Sequence, residues 1–347
     1  MGYFLESLLA NLDPARVELI AYQTDLTVDA LTERIKRYFT AWKSLYNLND
    51  ADAARLIHAD RVHVLLDLSG HTGHNRLPVF AWEPAPVQAT WLGYFATTGV
   101  GEMDYLLADE VGVPDALREQ FTESIWYLPD SRLCFTAPLI SLPVSPLPAF
   151  ANGTITFGCF QNLAKVRDGV LEAWGKIFAA LPNARMRMQC NQLGEPAHVE
   201  ELLQRLQRYG ISPARVLTHG SAHRDKYLAA REEVDIILDT FPYPGGTTTC
   251  EALWMGVPTV TLAGDSLLAR QGASRLTAAG SEEWVATSKE EYIAKAIALA
   301  NDQSKLAALR AGLRQQVLAS PLFDAPRFAR NFEEALWGMW QSYQARL

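Results

Sequence analysis

The chain has 347 residues, of which 49% are apolar and 20% charged, the balance of a soluble globular protein with room for two cores. Its formal net charge of −8 argues against a nucleic-acid partner bound through the phosphate backbone, which calls for a basic balance. Cys134, Cys159, Cys190 and Cys250 are far apart and show no metal-ligand spacing, so reduced core thiols in a cytoplasmic protein and no metal centre are expected. No apolar run reaches bilayer-spanning length, so no membrane partner is expected, and the opening residues do not read as a secretory signal.

Strand and helix patterns alternate along nearly the whole chain, which predicts an α/β fold with parallel sheets covered by helices. The opening is irregular: Tyr3–Ala10 reads as a helix, where a doubly wound domain normally opens with a central strand. The first domain therefore starts one element late, and a strand with its loop is expected to be missing. Strands are predicted at Val17–Tyr22, Val62–Leu68, Val87–Leu92, Tyr105–Ala108 and Ile125–Leu128, with a helix at Asn49–Ala59. Three prolines in Leu142–Pro148 read as a stiff connector, giving domains at 1–143 and 149–325. The second half alternates strands at Ile155–Phe160, Met186–Gln189, Val216–His219 and Ile236–Leu238 with helices at Gly169–Ala180, Ala197–Tyr209 and Arg224–Arg231. Helices close the chain at Glu290–Ala300, Gln303–Ala319 and Arg327–Ala345. In the last, Phe328, Phe332, Leu336, Met339, Trp340 and Tyr343 form one apolar stripe. Residues 326–347 are read as a helix that returns to the first domain, although packing on the second fits the same pattern.

The most informative segment is Val234–Leu262, read as a buried strand, a Pro/Gly loop, a helix and another strand. Gly245 and Gly246 permit close backbone approach, and Thr247, Thr248 and Thr249 bring hydroxyls and N–H groups to a helix start. Such N–H groups lack intrahelical partners and sit at the positive end of the dipole, which suits a phosphate. Threonines that merely cap the helix fit the same residues. Glu251 is placed in the first turn, where a carboxylate can accept from a sugar diol.

Other candidates lie just after strands. Lys165, in Phe160–Lys165, can offset charge on a diphosphate leaving group, or be an ordinary solvated lysine. Arg224 and Tyr227 can line a base or phosphate pocket, and Tyr227 reads equally as packing. Asp67, His71, His74 and Arg76 cluster at and just after the end of the strand Val62–Leu68; Asp67 is also suited to bracing its own loop. His63 sits within that strand, where a lone histidine reads first as a core residue. The chain contains no GxGxxG after an opening strand, no GxxxxGK[ST] and no GxSxG. Asp50-Ala-Asp52 opens a helix ahead of a strand, the wrong end for a metal-bound nucleotide. Group transfer from a nucleotide-activated donor gains over hydride transfer and nucleotide hydrolysis; a dehydrogenase or epimerase keeps only the α/β pattern in its favour.

With these residues in view, the chain resembles the catalytic region of the O-linked N-acetylglucosamine transferase family, including its bacterial tetratricopeptide-linked members. The resemblance rests on Pro84–Tyr94, Thr98–Tyr105, Phe157–Lys165, Pro244–Trp254 and Ser320–Phe323, which keep the family's order. It implies a glycosyltransferase-B fold of two doubly wound Rossmann-like domains facing a cleft. It also implies a metal-independent inverting glycosyltransferase with no cofactor, taking a UDP-sugar, N-acetylglucosamine in the family, to a hydroxyl acceptor such as protein serine or threonine. By the same resemblance Lys165 holds the diphosphate and assists departure of UDP, Thr247 and Thr248 donate to phosphates, and Glu251 binds the ribose. Asn162 lies near the nucleotide, Arg224 and Tyr227 line the uridine pocket, and Gly246 stands where animal members have histidine. His63 is similar to a family histidine that reaches the active site. Fuller family members carry a strand and a His-Pro before the region that begins here at Gly2, and helical repeats before that. A truncated, non-catalytic nucleotide-sugar-binding remnant is the competing reading.

Overall fold

The computed structural model describes residues Met1–Leu347 and divides into two compact units. The first comprises 1–136, 266–268 and 321–347; the second comprises 137–265 and 269–320.

The first unit begins with helix α1 (Gly2–Leu9), strand β1 (Ile20–Gln23), helix α2 (Ala30–Lys36), strand β2 (Ala41–Ser44) and helix α3 (Asp50–Ala59). Then follow β3 (Val64–Asp67), α4 (Leu77–Phe80), β4 (Val87–Thr90), β5 (Tyr105–Ala108) and β6 (Ser124–Tyr127). All pairings are parallel, in a two-stranded sheet β1-β2 and a four-stranded sheet β3-β4-β5-β6. Strands β4 and β5 are buried along their whole length, as parallel strands covered on both faces must be. Helix α2 and strand β2 are absent from the sequence reading. Each is short and only part-buried, so neither shows a clear hydrophobic period.

The second unit contains α5 (Pro148–Asn152), β7 (Thr156–Cys159), α6 (Asp168–Ala180), β8 (Arg185–Gln189), α7 (Pro196–Arg208), β9 (Val216–His219), α8 (Arg224–Ala229) and β10 (Ile236–Leu238). It continues with α9 (Thr247–Trp254), β11 (Thr259–Leu262), α10 (Gln271–Ala278), β12 (Val285–Ala286), α11 (Lys289–Asn301) and α12 (Gln303–Leu318). Its parallel sheet runs β12-β11-β10-β7-β8-β9. The chain leaves β7 toward β8 and β9 on one side, then returns to lay β10, β11 and β12 on the other. This reversal makes the β7/β10 boundary a topological switch point, where the loops after two adjacent strands diverge and leave a crevice. Trp174, Phe157, Ile177, Phe178, Met186, Ile236 and Leu238 form the core beneath that edge.

The Leu142–Pro148 segment is not a free connector. Arg314 donates to the Leu142 carbonyl at 2.6 Å, and the buried Arg310 donates to the Ser145 carbonyl at 2.7 Å, so the segment is bound into the second unit. The division of the chain falls earlier, between Thr136 and Ala137. No helix is long and apolar enough to cross a membrane.

The chain returns to the first unit in α13 (Ala325–Gln344), which packs on α1, β3 and β4. Asp324 caps it by accepting from the Arg327 N–H at 3.1 Å. Its buried stripe puts Phe332 4.7 Å and Phe328 6.2 Å from the Trp91 ring, and the two phenyl rings stack on each other at 6.1 Å. Gly338 is required here, because a Cβ would lie 2.7 Å from the Trp126 ring. Glu333, nearly buried, accepts from the Asp13 N–H at 2.7 Å and pairs with Arg16 at 3.1 Å. Truncating Phe332 to Ala should empty a well-packed aromatic site and cost about 3–5 kcal/mol in the first unit. Denaturant unfolding followed by Trp fluorescence checks this; a loss below about 1 kcal/mol would mean the stripe is not what holds the helix.

Candidate functional site

The site grows from two loops at the switch point of the second unit. After β7, Phe160-Gln-Asn-Leu-Ala-Lys165 enters a single 3-10 turn, in which Asn162 Oδ1 accepts from the Ala164 N–H at 2.9 Å. That turn directs Lys165 back toward the sheet edge. Its ammonium donates to the Pro244 carbonyl at 3.0 Å and to Gln161 Oε1 at 3.3 Å, and lies 3.8 Å from the centre of the Tyr243 ring. Burial lowers its pKa to about 8, an effect opposed by Asp239 and reinforced by Arg275. A lysine hydrogen-bonded to neutral acceptors, with a third N–H to spare, can bind an incoming anion.

After β10 the chain runs through Asp239-Thr-Phe-Pro-Tyr-Pro-Gly-Gly246 into α9. Gln161 Nε2 donates to Thr248 Oγ1 at 2.7 Å, so the two loops are joined side chain to side chain. Gly245 permits this closeness: a Cβ there would fall 2.4 Å from Gln161 Nε2 and 2.5 Å from Thr249 Oγ1. Gly246 is the N-cap and offers no side-chain cap, so the threonines occupy the first helical positions instead of capping the helix. Thr247 and Thr248 thus present the leading N–H groups of α9 at the positive end of its dipole. At Gly246 a Cβ would meet only Arg275, 3.6 Å away, so the absent side chain leaves space beside a guanidinium.

Glu251 departs from expectation. It is the fifth residue of α9, beyond the first turn, and its side chain is 1% exposed. One carboxylate oxygen takes Arg224 Nη1 and the other takes Arg231 Nη2, the latter at 2.7 Å. Burying a carboxylate demands such partners, and two guanidiniums supply them. The Glu251 carboxylate is therefore closed by arginines in this structure and not open to a diol. Tyr227 packs edge-on to Phe160 at 5.7 Å, with Arg231 over both rings at 4.4 and 4.6 Å. Arg224 and Tyr227 of α8 thus form one cluster with Glu251 of α9, and Lys165, Thr247, Thr248 and Gly246 form a second across the loops after β7 and β10. Sequence reasoning missed Gln161, Asp239, Arg231 and Arg275. Of these, Asp239 carried a usable signal, an acid closing an apolar strand.

The first-unit candidates are held differently. Asp67, at the C-terminal end of β3, accepts from the N–H groups of Ser69 and Gly70 at 3.0 and 2.8 Å and from Thr90 Oγ1 at 2.7 Å. A buried carboxylate committed to three donors braces its loop and is not poised as a base. His63 precedes β3, at the opposite end from Asp67, with its ring 4.6 Å from that of Trp340. A parallel strand's C-terminal end, where ligands bind, is thus out of its reach. Arg76 is tied to Asp50 and to the Leu45 and Leu48 carbonyls, a structural role. His71 is exposed and pairs with the Thr97 carbonyl at 3.0 Å.

A family profile decides between transferase and dehydrogenase readings: that of glycosyl transferase family 41 matches residues 5–135 and 146–332. The chain belongs to glycosyl transferase family 41. It is 38% identical, over 99% of its length, to the probable UDP-N-acetylglucosamine–peptide N-acetylglucosaminyltransferase SPINDLY of Petunia hybrida. It is 24% identical, again over 99% of its length, to the UDP-N-acetylglucosamine–peptide N-acetylglucosaminyltransferase of Caenorhabditis elegans. The chain spans only 37% and 40% of those two proteins. A mutant of the Thermobaculum terrenum O-GlcNAc transferase superposes on all of it with a TM-score of 0.94 and 37% identity, the chain covering 66% of that structure. HepE of Anabaena, solved with UDP and glucose, shares the fold at a TM-score of 0.59 and 14% identity, the chain covering 95% of it. The fold is α/β of the glycosyltransferase-B type, with Rossmann-like domains.

The buried ion cluster yields a stability prediction. Replacing Glu251 by Ala leaves the fully buried Arg231 guanidinium without an anion, and breaking such a pair should cost about 3–5 kcal/mol. Urea unfolding at neutral pH measures this, and a change near zero would show that Arg231 is hydrated through an opening in the cluster.

Proposed function

We propose that the chain is a metal-independent inverting glycosyltransferase that moves a sugar, N-acetylglucosamine, from a UDP donor to a hydroxyl of a protein serine or threonine in the cytoplasm. The observation that carries the donor half is the Lys165 ammonium and the start of α9, held on one crevice edge by Gln161 and the Pro244 carbonyl. Together they supply a full positive charge and a helix dipole where a diphosphate would sit, without calling on a metal for charge. The names of the plant, nematode and bacterial relatives support N-acetylglucosamine and a peptide acceptor.

In the reaction an acceptor hydroxyl attacks the anomeric carbon from the face opposite the diphosphate. The carbon–oxygen bond to UDP breaks, its electron pair leaves with the β-phosphate, and the hydroxyl proton is lost to a base. Lys165 and the Thr247 and Thr248 N–H groups stabilise charge that grows on the leaving phosphate, the form of catalysis that preorganised donors provide. Asn162, in the loop after β7, and Tyr227, on α8, would line the nucleotide side of the site. Arg224 contacts the nucleotide by exchanging its Glu251 partner for donor atoms, which also frees one Glu251 oxygen for the ribose.

Calorimetry with UDP in the presence of a chelator tests the donor half. Native protein should bind, and Lys165→Met should lose about 1.5–3 kcal/mol of binding with the fold intact, the worth of a charge-assisted hydrogen bond. Because the protonated lysine is the binding form and burial lowers its pKa to about 8, affinity should fall as pH rises through that value. A folded protein that ignores UDP without metal, or a Lys165→Met variant of native affinity, would overturn the proposal.

A further inference from the structure

Asp239 is completely buried at the end of β10, and the proposed chemistry leaves it unused. All of its partners are donors: its Oδ1 accepts from the N–H groups of Thr240 at 3.0 Å and Gly245 at 2.7 Å, and its Oδ2 from Thr261 Oγ1 at 2.9 Å. Two backbone N–H groups on Oδ1 and a hydroxyl on Oδ2 stabilise the carboxylate form against the burial that pushes its pKa up. The Gly245 N–H belongs to the same peptide unit as the Pro244 carbonyl. That carbonyl accepts from Lys165 at 3.0 Å. One peptide group is thus held between an ammonium on its oxygen and a carboxylate on its N–H, with its dipole aligned between the two charges. Each bond polarises the peptide and strengthens the other.

We infer that Asp239 is a positioning residue for Lys165, setting both the place and the charge of its ammonium through the Pro244–Gly245 peptide. The same anchor shapes the loop into α9, since Thr240 Oγ1 donates to the Tyr243 carbonyl at 2.7 Å and the Tyr243 ring lies beneath Lys165. Other titratable groups near the pair come from every neighbouring element. Arg275 on α10 opposes the lysine charge, so Asp239 is the one carboxylate that offsets both desolvation and Arg275. Cys159 on β7 is pushed up to about 12 by burial and stays a neutral thiol. Tyr292 on α11 donates to the Asp239 carbonyl at 2.9 Å and is raised well above its usual range, so it too is neutral. The inference concerns the site of the proposed donor chemistry, but the coupling itself is a property of the unliganded protein.

The test uses Asp239→Asn in the full chain. The amide oxygen keeps both backbone donors and its NH2 can donate to Thr261, so the loop survives while the charge is removed. Protein labelled with 13C at lysine Cε is titrated by NMR, with the Lys165 signal assigned by its loss in Lys165→Met. In the Asn variant the Lys165 midpoint should drop by about one pH unit or more, and the alkaline limb of kcat/KM should move down with it. A merely structural Asp239 would lower Tm and leave the midpoint in place, and an unmoved midpoint in folded protein overturns the inference. Should the Asn variant fail to fold, Lys165→Met supplies the reciprocal reading: the Asp239 carboxyl midpoint, followed by 13C, should rise, and no rise overturns the inference equally. Calorimetry on the native chain separates the two ideas. Absence of UDP binding removes the donor reading, while the lysine midpoints still decide the coupling.

Discussion

In a parallel sheet every strand ends on the same edge, so the chain must cross back over a face before it can add the next strand. That constraint places every candidate in the second unit. The loops after β7, β9 and β10 emerge together, and the order β12-β11-β10-β7-β8-β9 makes those after β7 and β10 diverge. Lys165 comes from the first loop and the Thr247–Thr249 helix start from the second. Neither approaches the other through sequence proximity; the sheet brings them together, and the Gln161–Thr248 hydrogen bond fastens them.

The sequence carries this fold class clearly because buried parallel strands leave short β-branched or apolar runs between amphipathic helices. Tyr105–Ala108, Val216–His219 and Ile236–Leu238 have the same limits in the pattern and in the structure. The elements without a signal lack it for physical reasons. Helix α10 buries seven of its eight residues although Gln271, Ser274 and Arg275 among them are polar, so a reading that expects polar residues outside leaves Arg275 hidden. Strand β2 and helix α2 have the opposite problem, being only partly covered.

The site is legible in parts that depend on chain-local chemistry. A lysine after a strand, glycines before a helix and threonines at its start are local facts. Partnership is not. Nothing in Thr247–Trp254 shows that Glu251 will be enclosed by Arg224, 27 positions away, and Arg231, 20 positions away. Likewise the Ser69 and Gly70 amides that occupy Asp67 depend on how its loop turns. Charge, residue type and the end of a strand can be read from the chain; who has already claimed a side chain's oxygens comes from the fold.

The same distinction governs the electrostatics of the donor loops. The chain as a whole is acidic, so the long-range field repels an anionic nucleotide, and attraction has to be local. Around the crevice Lys165, Arg224, Arg231 and Arg275 lie near two buried carboxylates, Asp239 and Glu251, an excess of two formal positive charges that would suit the diphosphate of the proposed donor. Each carboxylate is spent on a cation and not on solvent: Glu251 on two guanidiniums directly, Asp239 on Lys165 through one peptide. Without these acids, burial would favour a neutral lysine and would destabilise the arginines. With them, four cations can be kept in a partly desolvated edge, where a charge would act on a bound anion more strongly than it could in water. The acids therefore keep these cations charged and in place in the unliganded protein, as the proposed donor site requires.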